Sequence, residues 1–255
     1  MLLGFWAKPI KTYAAITLVN NTSTPGKDPT SAAINMTGAN FLFLEISCYS
    51  ASVVEPCATP TDSQNNTWHN IGFTDSNDGK ILDNFYAYNA TVASNQTFSE
   101  GANAHGDAYG MLISGYAGVL STSDPMDASS SQDGGCGSGT SCQVAAFTPP
   151  NQNDLVISDF DGDGGSGTTV SGGSLTMLNT IDFASGIAWQ QAAAYVIQTA
   201  SSTVTPTWSW TTSVTYYASA DQSFKAAPST ASPVSYSSLV TINNSCIVAN
   251  GVTIQ

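Results

Sequence analysis

Apolar and polar residues along this chain recur far more often with a period of two than with a helical period, and that pattern predicts strands almost throughout. Tyr13 to Val19 (YAAITLV) and Phe41 to Tyr49 (FLFLEISCY) read as strands buried on one or both faces. Ile81 to Val92 (ILDNFYAYNATV) sets Phe85, Ala87 and Asn89 on one face and Tyr86, Tyr88 and Ala90 on the other. Tyr109 to Val119 and Asp154 to Phe160 (DLVISDF) are two more strands. In Trp208 to Tyr217 (WSWTTSVTYY), Trp208, Trp210, Val214 and Tyr216 alternate with Ser209, Thr211, Ser213 and Thr215, giving a core face and a wet face. The alanines of Ala188 to Thr199 suit a helix, but its Val, Ile and Tyr, and its place before the Trp-rich segment, favour an internal strand.

Turn-forming clusters separate these segments at 21–30, 56–67, 74–80, 99–107 and 121–150. Short strands with Gly, Pro, Asn and Asp between them predict an all-β fold, an antiparallel β-sandwich or jelly roll. After Lys225 the sequence becomes small and Pro/Ser-rich, as an extended linker does, and Leu239 to Gln255 offers only short β segments. Such segments cannot bury a core alone and must pair with the sandwich or with another chain. The apolar start, Met1 to Ala7, has the same need; it is shorter than a secretory apolar core and has no basic residue before it. The expected organisation is an N-terminal arm (1–11), a β-sandwich (12–227), and a linker with a C-terminal assembly segment (228–255).

Charge narrows the classes of function. Only 9% of the 255 residues are charged, against roughly 25% in an average soluble domain, and the formal net charge is −13 with five Lys and no Arg. Without a basic stripe there is nothing to neutralise phosphates, so no nucleic-acid partner is expected. Glu45 interrupts the apolar run from Phe41 to Tyr49, and no run reaches the roughly 20 residues of a spanning helix, so no membrane insertion is expected. Five cysteines stand at 48, 57, 136, 142 and 246. Pairing Cys48 with Cys57 and Cys136 with Cys142 would close two short loops and leave Cys246 over, although five cysteines permit other pairings and free thiols.

The segment Ala58 to Trp68 (ATPTDSQNNTW) resembles the V-T-D-S-x-G-N-T-Y/W turn of a family of β-sandwich domains of secreted bacterial proteins and phage virion proteins. FLFLEISCYS, NFYAYNATV, MLISGYAGV, DLVISDF and AAAYVIQTA resemble successive strands of that family, so the resemblance covers about residues 12 to 227. Asn66 stands near the family's turn Gly, and Ser114 and Gly115 replace an acidic residue before Tyr116. The resemblance implies display, adhesion or carbohydrate binding and carries no shared catalytic residue. Fold alone does not give function.

Candidate chemistry is sparse. Asp159 to Gly164 (DFDGDG) matches the D-x-D-x-D-G opening of a calcium loop, with Asp159, Asp161 and Asp163 as ligands, but Val170 stands where the loop's final Glu belongs. An acidic Gly-rich turn is the competing reading; no other cofactor is expected. Trp68, beside a polar turn, is the candidate for stacking on a sugar, whereas Trp208 and Trp210 read as core. His69 and His105 lie in no metal-binding spacing, and His105 near Asp107 lacks a nucleophile. The expectation is therefore a non-enzymatic virion protein of a tailed phage, a capsid decoration or fibre-type protein on the virion surface. Its partners would be copies of itself, other virion structural proteins and a host-surface glycan. The alternative is an extracellular adhesive or carbohydrate-binding module, calcium-dependent or not.

Overall fold

The period-two segments form strands, and every strand pairing among the described residues is antiparallel. The computed structural model describes residues 12–49, 56–75, 79–100, 107–133, 139–163, 166–183, 189–214 and 216–229, and four two-residue strands beyond. The predicted arm, Met1 to Lys11, lies outside them. In chain order the strands are β1 (Thr17–Pro25), β2 (Phe41–Tyr49), β3 (Thr61–Asp62), β4 (His69–Asp75), β5 (Lys80–Tyr88), β6 (Phe98–Ser99), β7 (Asp107–Ala117) and β8 (Met126–Asp133). They continue with β9 (Gly139–Gln143), β10 (Leu155–Asp163), β11 (Thr169–Ser171), β12 (Thr176–Phe183), β13 (Trp189–Ile197), β14 (Thr207–Val214) and β15 (Tyr217–Phe224). All of these belong to one unit, Ala15–Ala227.

Two five-stranded sheets make the sandwich, the first in the order β1-β7-β2-β5-β4 and the second in the order β12-β13-β10-β15-β8. Their central strands β2, β10 and β15 are buried on both faces, which is why β2 reads as a continuous apolar run. One face of each sheet meets the other sheet. Phe41 and Phe43 of β2 and Tyr86 of β5 close around Phe224 of β15, with ring centroids 4.6, 6.1 and 5.4 Å away, and Tyr116 meets Tyr195 at 5.7 Å.

Each outer face of the sandwich carries a further cover. On the first sheet, Leu42, Leu44, Ile46, Ile81, Phe85, Met111 and Ile113 form a core with Met36 and Phe98. The segment 31–36 runs against 93–98 over this core through backbone hydrogen bonds such as Ile34 N to Gln96 O at 2.9 Å and Ser31 N to Phe98 O at 2.8 Å. On the second sheet, a three-stranded sheet in the order β11-β14-β9 lays Trp208 and Trp210 on Phe160. Those rings stack at 5.7 and 4.8 Å, and Tyr217 adds a third at 6.0 Å. The core reading of the two tryptophans holds.

Several expectations are corrected. WSWTTSVTYY is two strands rather than one: β14 belongs to the cover and β15 to the second sheet, and Tyr216 between them is exposed. The stretch 121–150, expected as a turn-forming cluster, contains β8 and β9. Asn21 to Pro25, expected as turn, completes edge strand β1. Asn89 does not extend β5, because it turns the chain at a φ of 50°.

The second unit, Met1–Ala14 with Pro228–Gln255, brings the two ends of the chain together. Tyr13 bridges Pro228, and Ser229 N–H donates to the Thr12 carbonyl at 2.9 Å. Within it β16 (Ser235–Tyr236) pairs with β19 (Val252–Thr253), and β17 (Thr241–Ile242) with β18 (Ser245–Cys246).

Candidate functional site

Edge strands β4 and β8 come together on one flank of the sandwich and leave a cleft of about 150 Å³. Its walls are uncharged and mix polar with apolar surface: Thr74 from β4, Ser129, Ser130 and Ser131 from β8, Asn84 from β5 and Gln222 from β15, beside Ile71 of β4 and Ala220 of β15. A bulge between Asn70 and Gly72 breaks the register of β4, and Gly72 takes a φ of 129°, a conformation open to glycine. Such bulges re-aim an edge strand, and here the bulged residue lines the cleft.

Behind the cleft a chain of amides leads inward. Asn84 Nδ2 donates to Gln222 Oε1 at 3.4 Å, and Gln222 Nε2 donates to Asp159 Oδ2 at 2.7 Å. The other Asp159 oxygen accepts the Ala220 N–H at 3.0 Å. Asp159 shares its face of β10 with Asp161, because side chains two apart on a strand project together, and Glu45 approaches from β2 of the facing sheet. Glu45 and Asp159 are fully buried and Asp161 is 1% exposed. Burial first, then repulsion from Asp159 and Asp161, holds the Glu45 carboxyl well above the ordinary range. Burial also raises Asp159, and Asp221 adds to it, while the Gln222 hydrogen bond opposes the rise. A side chain at Gly110 would occupy the space of the Gln191 amide, which lies beside Glu45 and donates to its backbone carbonyl at 3.3 Å.

The calcium candidates fall on β10 rather than in a loop. Asp159, Asp161 and Asp163 are held in a ladder with β13 and β15 on both sides, so the sharp turn of a calcium loop does not form there. Asp163, at the end of β10, meets Lys80 at 3.6 Å. Among the described residues no group of three or more His, Cys, Asp or Glu is arranged to hold a metal ion.

Trp68 is half-buried against the first sheet's core, edge-on to Phe98 at 6.2 Å, rather than standing free as a sugar platform. Its Nε1 donates to Asp62 Oδ2 at 3.0 Å. Asp62 is the centre of the TDSQNNTW turn: it also accepts from Gln64 N at 2.8 Å, Asn66 N at 3.2 Å, Asn66 Nδ2 at 3.1 Å and Gln96 Nε2 at 3.2 Å. Asn66 in turn clasps Thr91, donating to its carbonyl at 2.9 Å and accepting its N–H at 2.7 Å. The residues that carry the family resemblance thus fasten a turn to the core.

Cys48 and Cys57 form the expected disulfide, with Cα atoms 5.9 Å apart. Cys142 is disulfide-bonded and buried, and its expected partner Cys136 lies outside the described residues, as does His105. His69 lies between two tyrosine rings, 5.2 Å from Tyr86 and 5.1 Å from Tyr88. Sequence reasoning missed the Asn84–Gln222–Asp159 chain and its neighbour Glu45. The signal was an acid set among apolar neighbours in each of two strand-like runs, FLFLEISC and LVISDF.

These features define a layered antiparallel β-sandwich protein with a polar edge cleft and acids inside the sandwich. Comparison of the chain with protein-family profiles, curated proteins and solved structures finds no match.

Proposed function

We propose that this chain is a non-enzymatic structural display protein of the virion type, a capsid decoration or fibre-type protein whose ends bind neighbouring subunits while the sandwich faces outward. The observation that carries this reading is the partition of the chain: Ala15–Ala227 forms one unit, and the two ends come together in another. The bridge of Tyr13 to Pro228 holds the roots of the two end segments together, so that one neighbouring subunit could engage both. Apolar burial by the arm and strand addition by the tail are the forces this assembly uses. Light scattering behind gel filtration, on the full chain and on a chain lacking residues 239–255, tests it. The full chain should form oligomers that the shortened chain does not; two identical, soluble monomers would refute the reading.

A second reading, an extracellular adhesive or carbohydrate-binding module, is favoured by the cleft. Its serine, threonine and amide lining complements the hydroxyls of a neutral saccharide and offers no charge to attract an ion. Calorimetric titration with neutral oligosaccharides tests this, with Ser130→Val expected to abolish the heat of binding. An equal response from the variant would remove the cleft from consideration.

A further inference from the structure

Sandwich interiors exclude carboxylates because an ionised group loses its hydration on burial, and a second one nearby adds repulsion. The layer between the first and second sheets breaks this rule at its centre. Glu45 of β2 faces Asp159 and Asp161 of β10, all three within 1% of complete burial. The Gln191 amide beside Glu45 is the single polar group that favours its ionised form, and it is outweighed by burial and by the two neighbouring acids. The surrounding layer is otherwise neutral or apolar: Ser47 from β2, Leu82 and Asn84 from β5, Leu112 and Ser114 from β7, and Ala193 from β13.

The charged groups near this layer, among the described residues, are few. Lys80 of β5 meets Asp163 at the end of β10, and its charge does not figure among the influences on Glu45 or Asp159. Asp221 of β15 acts on Asp159 as a further repelling acid. Strands β4, β7, β8, β12 and β13 bring no described cation against the pair. Two negative charges at Glu45 and Asp159 would face each other out of contact with solvent, with Asp161 adding to the repulsion on Glu45 and Asp221 to that on Asp159.

We infer that the interlayer around Glu45 and Asp159 is a proton-binding site, filled when the two sheets pack, that ties the stability of the sandwich to an acidic medium. An unfolded chain releases these protons as pH rises through the ordinary carboxyl range, whereas the packed sheets retain them to higher pH. The stability they contribute is full below the unfolded pKa and is lost as pH rises through the folded values. Gln222 links the site to the cleft, since the amide that faces Asn84 also donates to Asp159. Ionisation of the pair therefore loosens the two sheets where the cleft opens.

Carbon-13 labelling of the glutamate side-chain carboxyl in the full chain tests this directly, because the chain has only Glu45, Glu55 and Glu100. The signal lost in Glu45→Gln should stay at the protonated position at about pH 6, where an ordinary carboxyl is almost fully ionised. If Glu45→Gln fails to fold, Glu55→Gln and Glu100→Gln assign the remaining signal. A Glu45 signal that titrates with the other two overturns the proposal. The thermal midpoint should also be highest near about pH 4 and fall toward about pH 8, with a shallower fall in Glu45→Gln or Asp159→Asn. A midpoint that is level or rises over that range overturns it equally.

Discussion

Replacing Asp62 by Ala removes the acceptor for five donors at once, and the structure separates those that water can recover from those it cannot. Gln64 and Asn66 are partly exposed, so their N–H groups and the Asn66 amide can turn to solvent. Gln96 is fully buried, and the Trp68 indole is half-buried against Phe98. Each buried donor left unpaired costs about 1–3 kcal/mol, and the three recoverable bonds add a few tenths to about 1 kcal/mol each. The expected loss is therefore at least about 3 kcal/mol, large for a carboxylate outside the sandwich interior. Urea unfolding followed by tryptophan fluorescence measures it as a lowered midpoint at unchanged slope. Trp68→Phe, which deletes one of the bonds and keeps the ring contact, should lose about 1 kcal/mol. A loss below about 1 kcal/mol for Asp62→Ala would show that the turn is held by something else and would refute its role as a fastening.

Phe160→Ala empties the centre of the stack formed by Trp208, Trp210 and Tyr217 and should cost about 3–5 kcal/mol, with loss of the near-ultraviolet tryptophan dichroism; an unchanged signal would place those rings elsewhere. Asp83 is fully buried on the cover side of the first sheet, and burial lifts its carboxyl from 3.8 to about 7 against the opposing hydrogen bonds from Asn70 and Cys57. At about 1.4 kcal/mol per pH unit, this group favours the folded state most below about pH 4 and gives up about 4 kcal/mol by about pH 8. Asp83→Asn should flatten the pH dependence of stability by that amount, and an unaltered profile would contradict it. Replacing Cys48 and Cys57 together by Ser opens a short covalent loop and should lower stability by about 2–3 kcal/mol, read from the urea midpoint; no change would show the bridge to be dispensable.

Where burial followed sequence pattern, the fold was legible. FLFLEISCY, ILDNFYAY and DLVISDF announce strands because a strand covered on both faces must be apolar at successive positions. The serine-rich β8 (MDASSSQD) and the polar half of β1 (NNTSTP) were illegible for the opposite reason. Both are edge strands, whose one-sided pairing asks little of their side chains, so their composition is that of a loop. The division of WSWTTSVTYY between two sheets was also hidden, since alternation continues unbroken across the change of layer. For the site, local pattern misled: DFDGDG has the spacing of a calcium loop, but the ladders on both sides of β10 impose extended geometry. The pairing of Glu45 with Asp159 joins residues of separate sheets, a contact that only the folded topology supplies.

The display reading requires that assembly use the ends and leave the sandwich free. Hydrogen exchange of the full chain, read by mass spectrometry across a concentration series, reports which segments become protected as subunits associate. The account predicts protection that grows with concentration in peptides from 1–14 and 228–255, with peptides of β4, β8 and the cleft between them unchanged. Protection that appears instead along β4 and β8, or none at any concentration, would contradict it.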